Sequence, residues 1–170
     1  MLPYVIQFFE ICRFRRNPQD MPSSQAAMTL VIGIYILVGI VVSSIHLAFS
    51  TTILTIAVDT VLLLSFAHVS LWITGLSNRA NQTIIALAGT GSLFTLMSIP
   101  FLLILKDVPA GQSSDASIFM FPLLFWYIAV IGHIMKNALN MPAWAGLSIG
   151  IIYYIISYRI LRMIVVTGGS

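Results

Sequence analysis

The stretches AMTLVIGIYILVGIVVSSIHLAF (residues 27–49) and ILTIAVDTVLLLSFAHVSLWIT (residues 53–74), separated only by Ser50-Thr51-Thr52, decide the fold. From Ala27 to Thr74 the only charged side chain is Asp59. A helix needs about 20 mostly apolar residues to cross the roughly 30 Å of hydrocarbon in a bilayer. Each stretch is long enough, and the three hydroxyl residues between them read as a tight turn. An antiparallel hairpin of two membrane spans follows. Three more runs of the same kind occupy residues 83–105, 118–135 and 143–163. The expected fold is therefore all-α: a polytopic transmembrane helix bundle of five spans, preceded by a short N-terminal amphipathic lead-in.

Composition agrees with that class. Charged residues make up 8 % of the 170 and the apolar set 59 %, against about 25 % and 45–50 % in an average soluble domain. Little chain is left for a water-soluble domain, so residues 1–170 read as a single integral membrane domain with residues 1–25 as a cytoplasmic lead-in. The net charge of +3 comes from basic residues at the edges of the apolar runs. Their natural partner is the lipid bilayer's headgroup layer, and no nucleic acid partner is expected. Cys12 is the one cysteine, which excludes an internal disulfide and any cysteine cluster for a metal. Arg13, Arg15 and Arg16 follow the apolar stretch 4–11 instead of preceding it, the reverse of a signal peptide.

In the lead-in, helical spacing puts Val5, Phe8, Phe9 and Cys12 on one face, with Gln7, Glu10 and Arg13 off it. Such a helix either lies on the membrane surface or packs on the bundle. Asn17 to Ser24 is rich in turn formers, and Ser23 or Ser24 can cap the first span. Gly75 suits the left-handed position that ends a helix. Pro100 interrupts the third run and should kink it. Lys106 to Ser117 is the longest polar loop, and Asn140-Met141-Pro142 opens the last span. With the N-terminus inside, Arg13, Arg15, Arg16, Arg79 and Lys136 face the cytoplasm, against Lys106, Arg159 and Arg162 outside, so the basic asymmetry favours that orientation. The rings of Trp72, Trp126, Tyr127, Trp144, Tyr153, Tyr154 and Tyr158 fall mostly near span ends, where they serve as interfacial anchors or as packing.

Asp59 is the candidate intramembrane polar site. A carboxylate at that depth must face protein, a polar partner or water. Thr55 and Thr52, four and seven residues earlier, share its helix face and could donate to it. His68 lies about half a turn out of phase and roughly 13 Å along the axis, so it cannot pair with Asp59 within one helix. His46 and His133 read as interfacial. Three scattered histidines make no metal site, and no cofactor is expected. Gly146 and Gly150, and likewise Ala88 and Ser92, have the small-xxx-small spacing that lets helices approach closely, within the bundle or between chains. No phosphate loop, nucleophile motif or zinc motif is present, so the chain is not expected to be an enzyme. An intramembrane enzyme would need two polar groups at one depth on facing helices, such as Asp59 against Tyr35 or a hydroxyl of the third span.

The order of parts resembles the Yip-domain family of small multi-pass membrane proteins. The likeness is carried by a basic, proline-containing lead-in, the connector Ser77-Asn78-Arg79 with Gln82 and Thr83, the small-residue helix reaching Pro100, the stretch Phe121-Pro122-Leu123-Leu124-Phe125-Trp126, and Pro142 before the fifth span. The resemblance implies a non-enzymatic scaffold or accessory subunit in membrane organisation or complex assembly, acting through other membrane proteins. The compact form resembles bacterial members, which implies a bacterial cytoplasmic membrane. The alternative from the residues themselves is a small transporter or channel component that uses Asp59 as a proton or cation site.

Overall fold

Residues 83–92, TIIALAGTGS, form a stretch of helix buried on every side. They belong to the fourth of six helices in a computed structural model that describes residues 2–106 and 115–168. The helices are α1 (Leu2–Cys12), α2 (Gln25–Ser43), α3 (Phe49–Ile73), α4 (Ala80–Lys106), α5 (Asp115–Ala138) and α6 (Ala143–Gly168), with single 3₁₀ turns at Pro18–Asp20 and Ser77–Arg79 and no strand among the described residues. Helices α2 to α6 carry the five segments long and apolar enough to cross a membrane. The fold is all-α, and the chain is an integral membrane protein. Even the shortest span, the 19 residues of α2, reaches about 28 Å at 1.5 Å per residue.

Helix α4 is central, touching α1, α2, α3 and α5. Its alanines, glycines and hydroxyl residues let four neighbours approach the backbone, as small residues do where no water is present to drive association. The hydroxyls of Thr83, Thr90 and Ser92 donate to the carbonyls of Arg79, Ala86 and Ala88 at 2.9, 2.7 and 2.8 Å, so burying them leaves no donor unpaired. Outside this core Leu37, Val61, Phe125 and Ile152 are more than half exposed, as lipid-facing side chains are.

The two ends of the bundle are built differently. At the basic end, which carries Arg13, Arg15, Arg16, Arg79 and Lys136, helices α1, α3 and α5 all terminate on one device. The N–H of Arg15, Leu76 and Met141 each reaches back five residues, to the carbonyls of Glu10, Leu71 and Lys136 at 2.9, 2.8 and 3.0 Å. The preceding residues, Phe14, Gly75 and Asn140, have φ of 59°, 72° and 53°. This is the left-handed helix stop that glycine and asparagine favour. At Phe14 the strained backbone is held by the ring, which meets His133 edge-on at 5.3 Å. The connectors then bond to one another. Arg79 donates to the Ala138 carbonyl and Asn140 Oδ1 at 3.2 and 3.1 Å. Gln82 donates to the carbonyls of Gln19 and Met21, and Gln19 to that of Asn137.

Several boundaries differ from the sequence expectation. The first connection is Ser44–Ala48, while Ser50, Thr51 and Thr52 lie inside α3. Ser44 Oγ donates to the Val41 carbonyl at 2.8 Å, beside the helix stop. Thr51 and Thr52 are buried against the bundle. Ser24 is the residue that caps α2, accepting from the Ala27 amide at 3.4 Å. Helix α4 continues through Pro100 to Lys106 without interruption, and α5 starts at Asp115, earlier than expected. Residues 107–114 of the expected polar loop lie outside the described residues.

Helix α1 packs on α4 and α5. Its inner face is Phe8, Ile11 and Cys12, whereas Val5 and Phe9 of the expected face are exposed. The contact that turns the helix is Phe8 against Gly89, where a Cβ would stand 2.2 Å from the ring. Two further bonds hold the lead-in. The Trp126 indole donates to the Cys12 carbonyl at 2.8 Å, and His133 Nε2–H donates to the Arg16 carbonyl at 3.1 Å. Burial pushes the Cys12 thiol up to about 11, so it stays protonated at neutral pH.

Candidate functional site

Asp59 sits ten residues into α3 and away from the basic end, beside α2 rather than among its own helix's threonines. The Tyr35 phenol of α2 donates to Asp59 Oδ2. The expected donors do not reach it. Thr52 and Thr55 are buried and their Oγ1 atoms have no hydrogen-bond partner among the described residues. Four residues of helix separate Thr55 from Asp59 by about 6 Å of rise. That is within reach of an i,i+4 pair, yet neither threonine bonds the acid, and the tyrosine reaching across from the facing helix does.

Gly91 of α4 makes room for the pair. A Cβ there would stand 3.1 Å from Tyr35 Cε2 and 3.9 Å from the Tyr127 hydroxyl. Tyr35 and Asp59 line a cavity of about 370 Å³ between α2, α3, α4, α5 and α6. Its polar wall is completed by Tyr127, Tyr154, Thr95 and Ser98. The apolar wall includes Phe94, Met120, Phe121, Leu123 and Leu124. Phe94 is fixed by Trp126 edge-on at 5.1 Å and by Tyr127 at 5.2 Å. Tyr153 stacks on Phe66 at 4.2 Å.

Among the described residues no lysine, arginine or histidine lines this cavity, and no three His, Cys, Asp or Glu side chains converge as a metal site would require. His68 is exposed and donates from Nδ1 to the Leu64 carbonyl at 2.9 Å. His46 is exposed in the α2–α3 connection. His133 is no free interfacial ring, because it ties down the lead-in as described.

The small-residue pairs lie elsewhere. Gly146 and Gly150 of α6 face Gly132 of α5, a Cβ on either standing 2.5 and 3.1 Å from Gly132 backbone atoms. Ala88 and Ser92 are buried in the centre of α4. A second cavity of about 480 Å³, between α1, α2 and α4, is lined by apolar side chains such as Val5, Leu30, Ile34 and Leu96, with no titratable group among the described lining residues.

The sequence expectation treated Trp126, Tyr127 and Tyr153 as interfacial or packing rings. All three are mid-helix, and Tyr127 belongs to the cavity wall. Tyr35 was visible as the one phenol in the middle of its span. Thr95 and Ser98 carry no pattern that would single them out. No family model matches the chain, and neither a curated protein nor a solved structure matches it.

Proposed function

We propose that this protein binds a proton or a small cation at Asp59 within the membrane, as a small transporter or a component of a channel. The observation that supports this is the position of Asp59 on the wall of a cavity. An acid kept only to hold helices together would be closed in by side chains. Carboxylates at this depth are costly, and in transport proteins they mark ion and proton paths. Reconstitution into liposomes tests the proposal. A step in pH or cation concentration should move charge across vesicles carrying the protein, and Asp59→Asn should abolish that movement while inserting and folding normally. Charge movement equal to that of empty vesicles in both would overturn it.

The bond from Tyr35 to Asp59 favours a second role for the same acid, as the clasp between α2 and α3 in a scaffold or accessory subunit of the Yip-domain kind. Such a subunit would act in a bacterial cytoplasmic membrane through other membrane proteins. In that case no charge moves, and Asp59→Asn supports complex assembly as well as the wild type does.

A further inference from the structure

The chemistry of the cavity wall goes further than the presence of an acid. Thr95 donates to the Gly91 carbonyl at 2.9 Å and Ser98 to the Thr95 carbonyl at 2.7 Å, while Tyr35 donates to Asp59. Those three hydroxyls have therefore spent their protons on the protein. What they and the carboxylate have left to offer a ligand is lone pairs. The Tyr127 and Tyr154 phenols can donate as well as accept, but the carboxylate and three acceptor-only hydroxyls outnumber them, and a ligand matched to such a wall brings donors or positive charge.

Phe94, Phe121, Tyr127 and Tyr154 supply aromatic surface around the same space. Aromatic faces attract a cation through the ring quadrupole, most strongly when water is excluded. A bare calcium or magnesium ion is a poor match, since it calls for six or more oxygens at fixed short distances, and the described residues of this wall bring one carboxylate. The volume of about 370 Å³ lies in the range of cavities that hold small organic molecules, about 300–1,000 Å³.

Resting on the reading of Asp59 as a cation site, we infer that the cavity binds an organic monocation, an alkylammonium group whose charge faces Asp59 and whose methyl or methylene groups contact the rings. The positive charge offsets the cost of keeping a carboxylate in hydrocarbon, which neither Tyr35 nor any other described lining residue does with a charge of its own. The alkylammonium has two sources, a free cation or the headgroup of a lipid.

The test is calorimetric titration of the full chain in nanodiscs of phosphatidylglycerol, which contain no ammonium headgroup. Choline is compared with dimethylbutanol, its uncharged carbon isostere. Choline should bind at least about tenfold more tightly, a difference of about 1.4 kcal/mol. Asp59→Asn should remove that preference, and Phe121→Ala, at a half-exposed position, should weaken choline severalfold without changing the fold. Equal affinity for choline and its isostere on the wild type overturns the inference, whatever the variants do. Repeating the titration in discs containing phosphatidylethanolamine separates the sources: competition assigns the headgroup, and unchanged affinity assigns the free cation, either result supporting an alkylammonium site. Charge movement that needs Asp59 without choline binding would overturn the ligand class and leave the cation site standing. Choline binding without charge movement would do the reverse to the transport role.

Discussion

The two halves of α4 teach how one helix can serve as both wall and core. Residues 83–92 are buried without a break, whereas Leu96, Met97, Leu103 and Ile104 are exposed and Thr95 and Ser98 border the Asp59 cavity. The first half is built of Ala, Gly, Thr and Ser among its isoleucines, so neighbours close onto its backbone. The second half begins with Leu93 and Phe94 and contains Pro100, and its neighbour α5 carries Pro122 at the same end. Bulky side chains hold the helices apart there, and each proline removes a backbone donor. Almost all the fully buried large side chains lie toward the basic end, among them Ile11, Leu71, Ile84, Ile131 and Ile134. The bundle is tight where its connectors bond to one another and loose where the acid sits.

The largest effect should come from attacking the tight half at its closest approach. Replacing Gly146 and Gly150 together with Leu puts side chains where backbone atoms of Gly132 stand 2.5 and 3.1 Å from the first added carbon. Backbone cannot yield as a side chain end can. The cost should be about 3 kcal/mol or more, read as a fall of about 10 °C or more in the thermal midpoint in detergent. An unchanged midpoint would mean that α5 and α6 do not depend on this seam.

A smaller and more local loss is expected from Gly89→Leu, which evicts the Phe8 ring. Helix α1 should detach while the five spans stay together. Hydrogen exchange should rise sharply over residues 5–16 and hardly at all in α4. Uniform exchange across the bundle would show that the lead-in is part of the core's cooperative unit.

The smallest changes belong to the loose half. Asp59→Asn keeps an acceptor for Tyr35 and should alter stability by less than about 1 kcal/mol. Asp59→Leu leaves the phenol unpaired and should cost about 1–3 kcal/mol. If both cost as much as the glycine pair, the contrast between the halves is wrong.

Five spans could be read from hydropathy because each carries its apolar side chains on every face, a signal that needs no partner. Turns were harder. Ile45, Leu47 and Ala48 form a connection with no polar signal beyond Ser44 and His46, while Ser50, Thr51 and Thr52 look like a turn and lie in a helix; in a helix a hydroxyl can bond the carbonyl four residues back, although Thr52 Oγ1 does not. Thr60 on Ile56 is an instance of such a bond, at 2.8 Å. Asp59 stood out as the one acid in an apolar run. Tyr35 can be named from the sequence as one group that could face it, but not chosen over Thr55 or a hydroxyl of the third span, because the distance between Tyr35 and Asp59 depends on how α2 and α3 rotate about their axes, and uniformly apolar spans carry almost no periodicity to fix rotation. On α1 the spacing places Phe8 and Cys12 on the inner face, where they are, but Val5 and Phe9 with them, and the seat of Phe8 on Gly89 of another helix decides the rotation.

The self-satisfied hydroxyls of α4 bear on how the protein is made. Chains emerge N-terminus first, so α1, α2 and α3 exist before α4, and α5 exists after it. Helix α4 must therefore dwell in lipid with one flank open, at the stage when its eventual neighbour is still being synthesised. Thr83, Thr90 and Ser92 bond within their own helix and need no partner helix to lose their polarity. The segment destined for the centre of the bundle can thus wait in hydrocarbon until α5 arrives and closes over it.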